Sequence, residues 1–208
     1  MDPNWATHHL QVIRTLMERS AIYRRALAPV MMMLGALGLL AAVLGWFLRL
    51  GQPAGFAAYW MAVSLAGICA AYTLVRRQAL HAEEPFWSSP TRRVTQALLP
   101  PLFAGMVAGC VTIFYGSDDA VQAWWLPPIW MVLYGSAVHA AGFFTPRGIR
   151  LFGWLFVGAG ALLAPWVAVN ASKCSLLHAN LAMGAFFGGF HLAYGLYLNV
   201  TERNVDLE

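Results

Sequence analysis

Residues 27–48 read LAPVMMMLGALGLLAAVLGWFL, a run without Asp, Glu, Lys or Arg, bounded by Arg24-Arg25 before it and Arg49 after it. A helix rises 1.5 Å per residue and the hydrocarbon core of a bilayer is about 30 Å thick, so about 20 apolar residues cross it. This run is long enough, and its charged flanks mark where it must stop. Five further stretches qualify: 56–75, stopped by Arg76-Arg77; 94–115, closed by Gly116-Ser117-Asp118-Asp119; 124–144; 151–169; and 176–200. None of the six carries Asp, Glu, Lys or Arg. The sequence predicts an all-α fold, an integral membrane six-helix bundle over residues 27–200, with a short tail at 201–208.

Composition agrees. Hydrophobic residues make up 60% of the 208 and charged residues 11%, with a mean hydropathy of +0.60. A soluble domain is about 45–50% apolar and about 25% charged, so a chain this apolar lacks the polar surface that water demands. The net charge of +4 does not point to nucleic acid, because the basic residues are distributed between the apolar stretches instead of forming one module. The opening Met-Asp-Pro-Asn-Trp has no charged segment leading into a short apolar run, so no cleaved signal peptide is expected. Cys69, Cys110 and Cys174 are odd in number, which predicts no disulfide framework, and Cys69 and Cys110 lie in apolar stretches, where they read as small hydrophobic side chains.

Those basic residues set the orientation. Arg14, Arg19, Arg24, Arg25, Arg76, Arg77, Arg92, Arg93, Arg147, Arg150 and Arg203 fall on one side of six alternating spans, and only Arg49 and Lys173 on the other. The positive-inside rule then puts both termini in the cytoplasm of an inner-membrane protein, with Asp118, Asp119 and Cys174 outside. Trp46, Tyr59-Trp60, Tyr115, Trp124-Trp125 and Trp166 lie near the outer ends of their spans, where amphipathic rings favour the headgroups.

Residues 1–26 are of another kind. Leu10, Ile13, Leu16 and Met17 recur at helical spacing, while Arg14, Glu18, Arg19 and Arg25 fill much of the rest. This predicts an amphipathic helix on the inner leaflet, with Arg14, Arg19, Arg24 and Arg25 facing anionic headgroups. It serves either as an anchor or as a docking surface for a cytoplasmic partner. The loop at 76–93 is the longest and is too short for a soluble domain. Met61, Met131 and Met183 each stand eight residues before Cys69, His139 and His191, a spacing that three tandem hairpins or coincidence would produce.

The chemistry-bearing residues are few. No phosphate-cradling Gly-rich loop and no Cys-rich metal signature occurs, and no carboxylate lies at membrane depth, where proton-coupled transporters place one. No catalytic residue and no metal site is predicted. The polar groups that remain are His139, His178, His191, Asn180 and Gln96, the last at the inner end of its span. Gly184, Gly188, His191 and Gly195 fall four, three and four residues apart, one helical stripe that Asn180 extends; Gly135, His139 and Gly142 form a second. Gly105 and Gly109 form a third, shorter pair. Such stripes let helix backbones approach closely, which predicts that His139 and His191 face a neighbouring helix. Either they are neutral imidazoles bonding across helix interfaces, or they converge with Asn180 and His178 to bind a small ligand. Two facing imidazoles can also hold a b-type haem, with Arg147, Arg150 and Arg76-Arg77 near its propionates; otherwise no cofactor is expected. Pro100-Pro101 and Pro127-Pro128 are expected to bend the third and fourth spans.

Val12-Ile13-Arg14-Thr15-Leu16-Met17-Glu18-Arg19-Ser20 and Phe187-Gly188-Gly189-Phe190-His191-Leu192-Ala193-Tyr194-Gly195 resemble pieces of small, uncharacterised multi-pass bacterial inner-membrane proteins. The resemblance implies a multi-pass inner-membrane protein and carries over no site residues. The functional expectation is a non-enzymatic membrane scaffold or sensor engaging a partner or small ligand, alone or as a homo-oligomer. The alternatives are a transporter or channel for a small or apolar solute, and a haem protein.

Overall fold

The computed structural model describes residues 27–81, 87, 89–145, 147–173 and 175–205. The interfacial helix expected over 1–26, with Arg14, Arg19, Arg24 and Arg25, lies outside the described residues, as does Cys174. Every regular element among the described residues is helical. In chain order these are α1 (Leu27–Phe47), α2 (Pro53–His81), α3 (Ser89–Tyr115), the single turn α4 (Ala120–Ala123), α5 (Leu126–Ala141) and α6 (Arg147–Asn170), which tightens into a 3₁₀ turn over Ala171–Lys173. The last helix has three parts: α7 (Leu176–Met183), a π-helical segment Gly184–Phe190, and α8 (His191–Val205).

Five of these helices are long and apolar enough to cross a membrane. The fourth expected span, 124–144, is the exception. Its helix α5 has 16 residues, about 24 Å of rise. Pro127-Pro128 do not bend it in mid-course, as the sequence suggested; they stand in its first turn, where a missing N–H breaks no helical bond. Trp124 and Trp125 form the turn ahead of it, and Gly142 closes it by donating to Val138 O at 2.9 Å. By contrast Pro100-Pro101 lie inside α3, which runs through them.

The short helix is also the central one. α5 packs against α3, α6 and α7, and Met131 and Ala137 on it are fully buried. The core divides into two clusters. Toward the end of the bundle that carries Asp119, Phe56, Trp60, Trp124, Val167 and Leu176 pack together. Toward the end that carries Arg150, Met31, Met131, Val138, Phe152 and Phe156 do so, with Tyr134, Phe187 and Tyr194 against them.

α1 runs antiparallel to the last helix in backbone contact. A Cβ built on Gly38 would lie 2.8 Å from Gly188 Cα, and one on Gly195 would lie 2.7 Å from Met32 N. Gly35 meets Leu192, Gly184 meets Ala42, and Gly45 meets the Asn180 side chain. Only glycine permits this approach, which brings many atoms into dispersion contact without a polar group exposed. α5 and α6 do the same where Gly135 faces Gly153 O, 2.7 Å from a built Cβ.

Candidate functional site

The sequence singled out His139, His191, Asn180 and His178, and the structure places them in four separate settings. His191 opens α8 directly after the π segment and is buried. Its Nδ1 lies 2.6 Å from Phe187 O and its Nε2 lies 2.5 Å from the Tyr134 hydroxyl. A carbonyl only accepts, so Nδ1 carries the proton and donates to Phe187; Nε2 then accepts from Tyr134 O–H. His191 Nδ1–H reaches back to Phe187 O within the π segment. In an α-helix the N–H of His191 would take that carbonyl, but here it bonds to Gly188 O instead.

The rings around this relay are aromatic. Phe152 and Phe156 of α6 sit 5.1 and 5.4 Å from the His191 ring, and Tyr134 packs edge-on against Phe156 at 4.9 Å and Phe187 at 5.4 Å. In so apolar a shell an unpaired hydroxyl or imidazole nitrogen would cost about 1–3 kcal/mol. The relay leaves no nitrogen of His191 unpaired.

The direction of His191 corrects the expectation from spacing. Gly184, Gly188 and Gly195 do face α1, but His191 does not share their direction: it faces α5 and α6. Leu192, next to it, takes the place against Gly35 of α1.

His139 is elsewhere. It is half-buried, its Nδ1 donates to Arg150 O at 3.3 Å, and its ring meets Phe143 and Trp154 edge-on, each at 5.4 Å. Arg150 and Trp154 lie one turn apart on α6, as do Phe152 and Phe156; the two pairs are offset by two residues, about 200° around the helix. His139 and His191 therefore contact different sides of α6. They do not face one another, and a bis-histidine haem ligated through His191 Nε2 would have to displace the Tyr134 hydroxyl. Arg150 is itself engaged, its guanidinium 5.2 Å above the Phe143 ring. Among the described residues no group of three His, Cys, Asp or Glu gathers to hold a metal.

Asn180 joins three helices. Fully buried, it donates from Nδ2 to Ala42 O of α1 at 2.7 Å and accepts on Oδ1 from Trp60 Nε1 of α2 at 3.1 Å. Tyr59 adds a parallel bond to Ala41 O at 2.6 Å. His178 is exposed and pairs with Ser175 Oγ at 3.1 Å, one turn outside this junction.

Gly105 and Gly109 meet the Trp130 ring of α5, and Trp130 Nε1 donates to Gly105 O at 2.8 Å. Gly142 packs against Arg150. Sequence reasoning missed Tyr134, Trp60 and the Gly35, Gly38, Gly45 stripe of α1. The glycines repeat at helical spacing and were open to the same argument as those of the last helix; Tyr134 was hidden because a tyrosine reads as an apolar residue.

Compared with known proteins, the chain matches no protein-family model, no curated sequence and no solved structure.

Proposed function

We propose that the chain is a multi-pass protein of the inner (plasma) membrane, both termini cytoplasmic, acting as a non-enzymatic scaffold or sensor that engages a partner or a small ligand. The carrying observation is an inversion of surface and interior. Phe103, Leu151 and Leu162 point outward, 61%, 72% and 77% exposed, whereas Asn180 and His191 are buried and bonded inside. Lipid is the solvent that suits such a surface, because backbone groups are satisfied within helices and apolar side chains meet acyl chains. The cytoplasmic placement of both ends rests on the distribution of Lys and Arg.

The filled core among the described residues favours a scaffold or sensor over a transporter or channel. A conduit needs polar groups along a wettable path. Here Met131, Ala137 and Ala179 fill the middle of the bundle, and the buried histidine and asparagine bond to protein partners.

Single cysteines at Met131, Ala137 and Ala179, in a chain free of other cysteines, test this with a water-soluble thiol reagent applied from each side. A scaffold leaves all three unreactive; labelling along the run would assign a conduit instead. Alkaline carbonate should leave the protein in the membrane pellet, and its release would reject the membrane reading itself.

A further inference from the structure

α2 and α3 form an antiparallel hairpin whose register is fixed twice. Gly109 of α3 packs against Met61 of α2, and α2 ends at His81 while α3 begins at Ser89, symmetric about residue 85. Moving sixteen residues toward the connection from Met61 and from Gly109 reaches Arg77 and Arg93. Arg76, Arg77, Arg92 and Arg93 therefore stand within about one helical turn of the same level, on two helices whose axes pack about 8–10 Å apart.

All four arginines are exposed. The carboxylates with described side chains, Asp118 and Asp119, follow the far end of α3. Glu83 and Glu84 lie in the connection, so four arginines against two glutamates leave an excess of two positive charges. The arginines also sit where the apolar stretches 56–75 and 94–115 stop, which is the depth of lipid phosphates in a chain that spans the bilayer. Tyr72, one turn before Arg76 and likewise exposed, suits the headgroup boundary.

We infer that this arginine cluster is a binding site for anionic phospholipid, best met by a headgroup with two phosphates, as in cardiolipin. Each guanidinium offers a planar fork of donors to a phosphate, and two pairs on neighbouring helices suit two phosphates better than one. The lipid site rests on the membrane reading above. It goes beyond the general basic bias of the inner face by assigning lipid selectivity to one hairpin.

The test uses full-length protein purified in nonionic detergent, stripped of lipid and titrated with lipid while its melting temperature is read. Cardiolipin should raise the melting temperature saturably, phosphatidylglycerol less, and phosphatidylcholine not at all. The R76Q/R77Q/R92Q/R93Q variant should need at least about tenfold more cardiolipin for the same rise, and the corresponding four-lysine variant should recover most of the response. If the four-glutamine chain does not fold, R76Q/R77Q and R92Q/R93Q should each lose part of it. An equal rise in the glutamine variants, or with phosphatidylcholine, overturns the inference. An equal rise with inorganic phosphate or pyrophosphate assigns a soluble anion and overturns the lipid assignment. Extraction of the protein by alkaline carbonate would reject the membrane reading; retention without lipid selectivity rejects this inference alone.

Discussion

Tyr134 of α5 and His191 of the last helix are joined by a 2.5 Å hydrogen bond, with ring centroids 5.3 Å apart. The bond ties the central short helix to the helix that carries the π segment, and Nε2 accepts in it because the Phe187 carbonyl already holds the Nδ1 proton. Tyr134→Phe removes the donor and leaves Nε2 buried without a partner. The expected cost is about 1–3 kcal/mol, above the roughly 0.6 kcal/mol average for interhelical hydrogen bonds in membranes. Thermal unfolding in detergent of Tyr134→Phe, His191→Leu and the double variant measures it. The two losses should fail to add, with a coupling of about 0.5 kcal/mol or more; strict additivity would mean the bond contributes nothing.

The glycines separate into two classes that the same melting assay distinguishes. Gly38→Ala and Gly188→Ala place a methyl group against the opposing backbone and should destabilise by about 1–3 kcal/mol through overpacking. Nothing lies within 4 Å of a Cβ built on Gly158 or Gly189. Alanine is favoured over glycine in a helix by about 1 kcal/mol, so Gly158→Ala should be neutral or stabilising.

Asn180→Leu should cost about 1–3 kcal/mol, because Trp60 Nε1 and Ala42 O lose their partner together. Trp60→Phe leaves the bond to Ala42 intact and should cost less. The reverse order of melting temperatures would show that Asn180 is not the junction of α1, α2 and α7.

Arg49 follows α1 with φ 50°, in the left-handed region that costs a side-chain-bearing residue about 1–2 kcal/mol and that glycine enters freely. Arg49→Gly should therefore raise the melting temperature. A fall would show that the guanidinium has contacts worth more than the strain.

The six apolar stretches were legible because an uncharged run of membrane length has no place in a small domain that folds in water. The reduced length of the fourth was not, since Pro127-Pro128 suit a kinked helix and a helix start equally well. Asn180 and the last helix's glycines were legible as an interface by their spacing. The direction of His191 was not: Gly188 and Gly195 hold the α1 face, but Leu192 and not His191 stands against Gly35 between them, and nothing in Gly-Ala-Phe-Phe-Gly-Gly-Phe announces the π winding that precedes it. The relay needed Tyr134, and a tyrosine in an apolar run gives no sign that its hydroxyl is the one a distant histidine accepts from.

The central claim is a bundle that crosses the membrane with both termini inside, and cysteine labelling tests it most directly. In a chain keeping Cys174 while Cys69 and Cys110 are replaced by Ala, a membrane-impermeant maleimide should label intact spheroplasts, and a tag after Glu208 should react only once the membrane is opened. Labelling of Cys174 only from the cytoplasmic face, in inverted vesicles, would contradict the account.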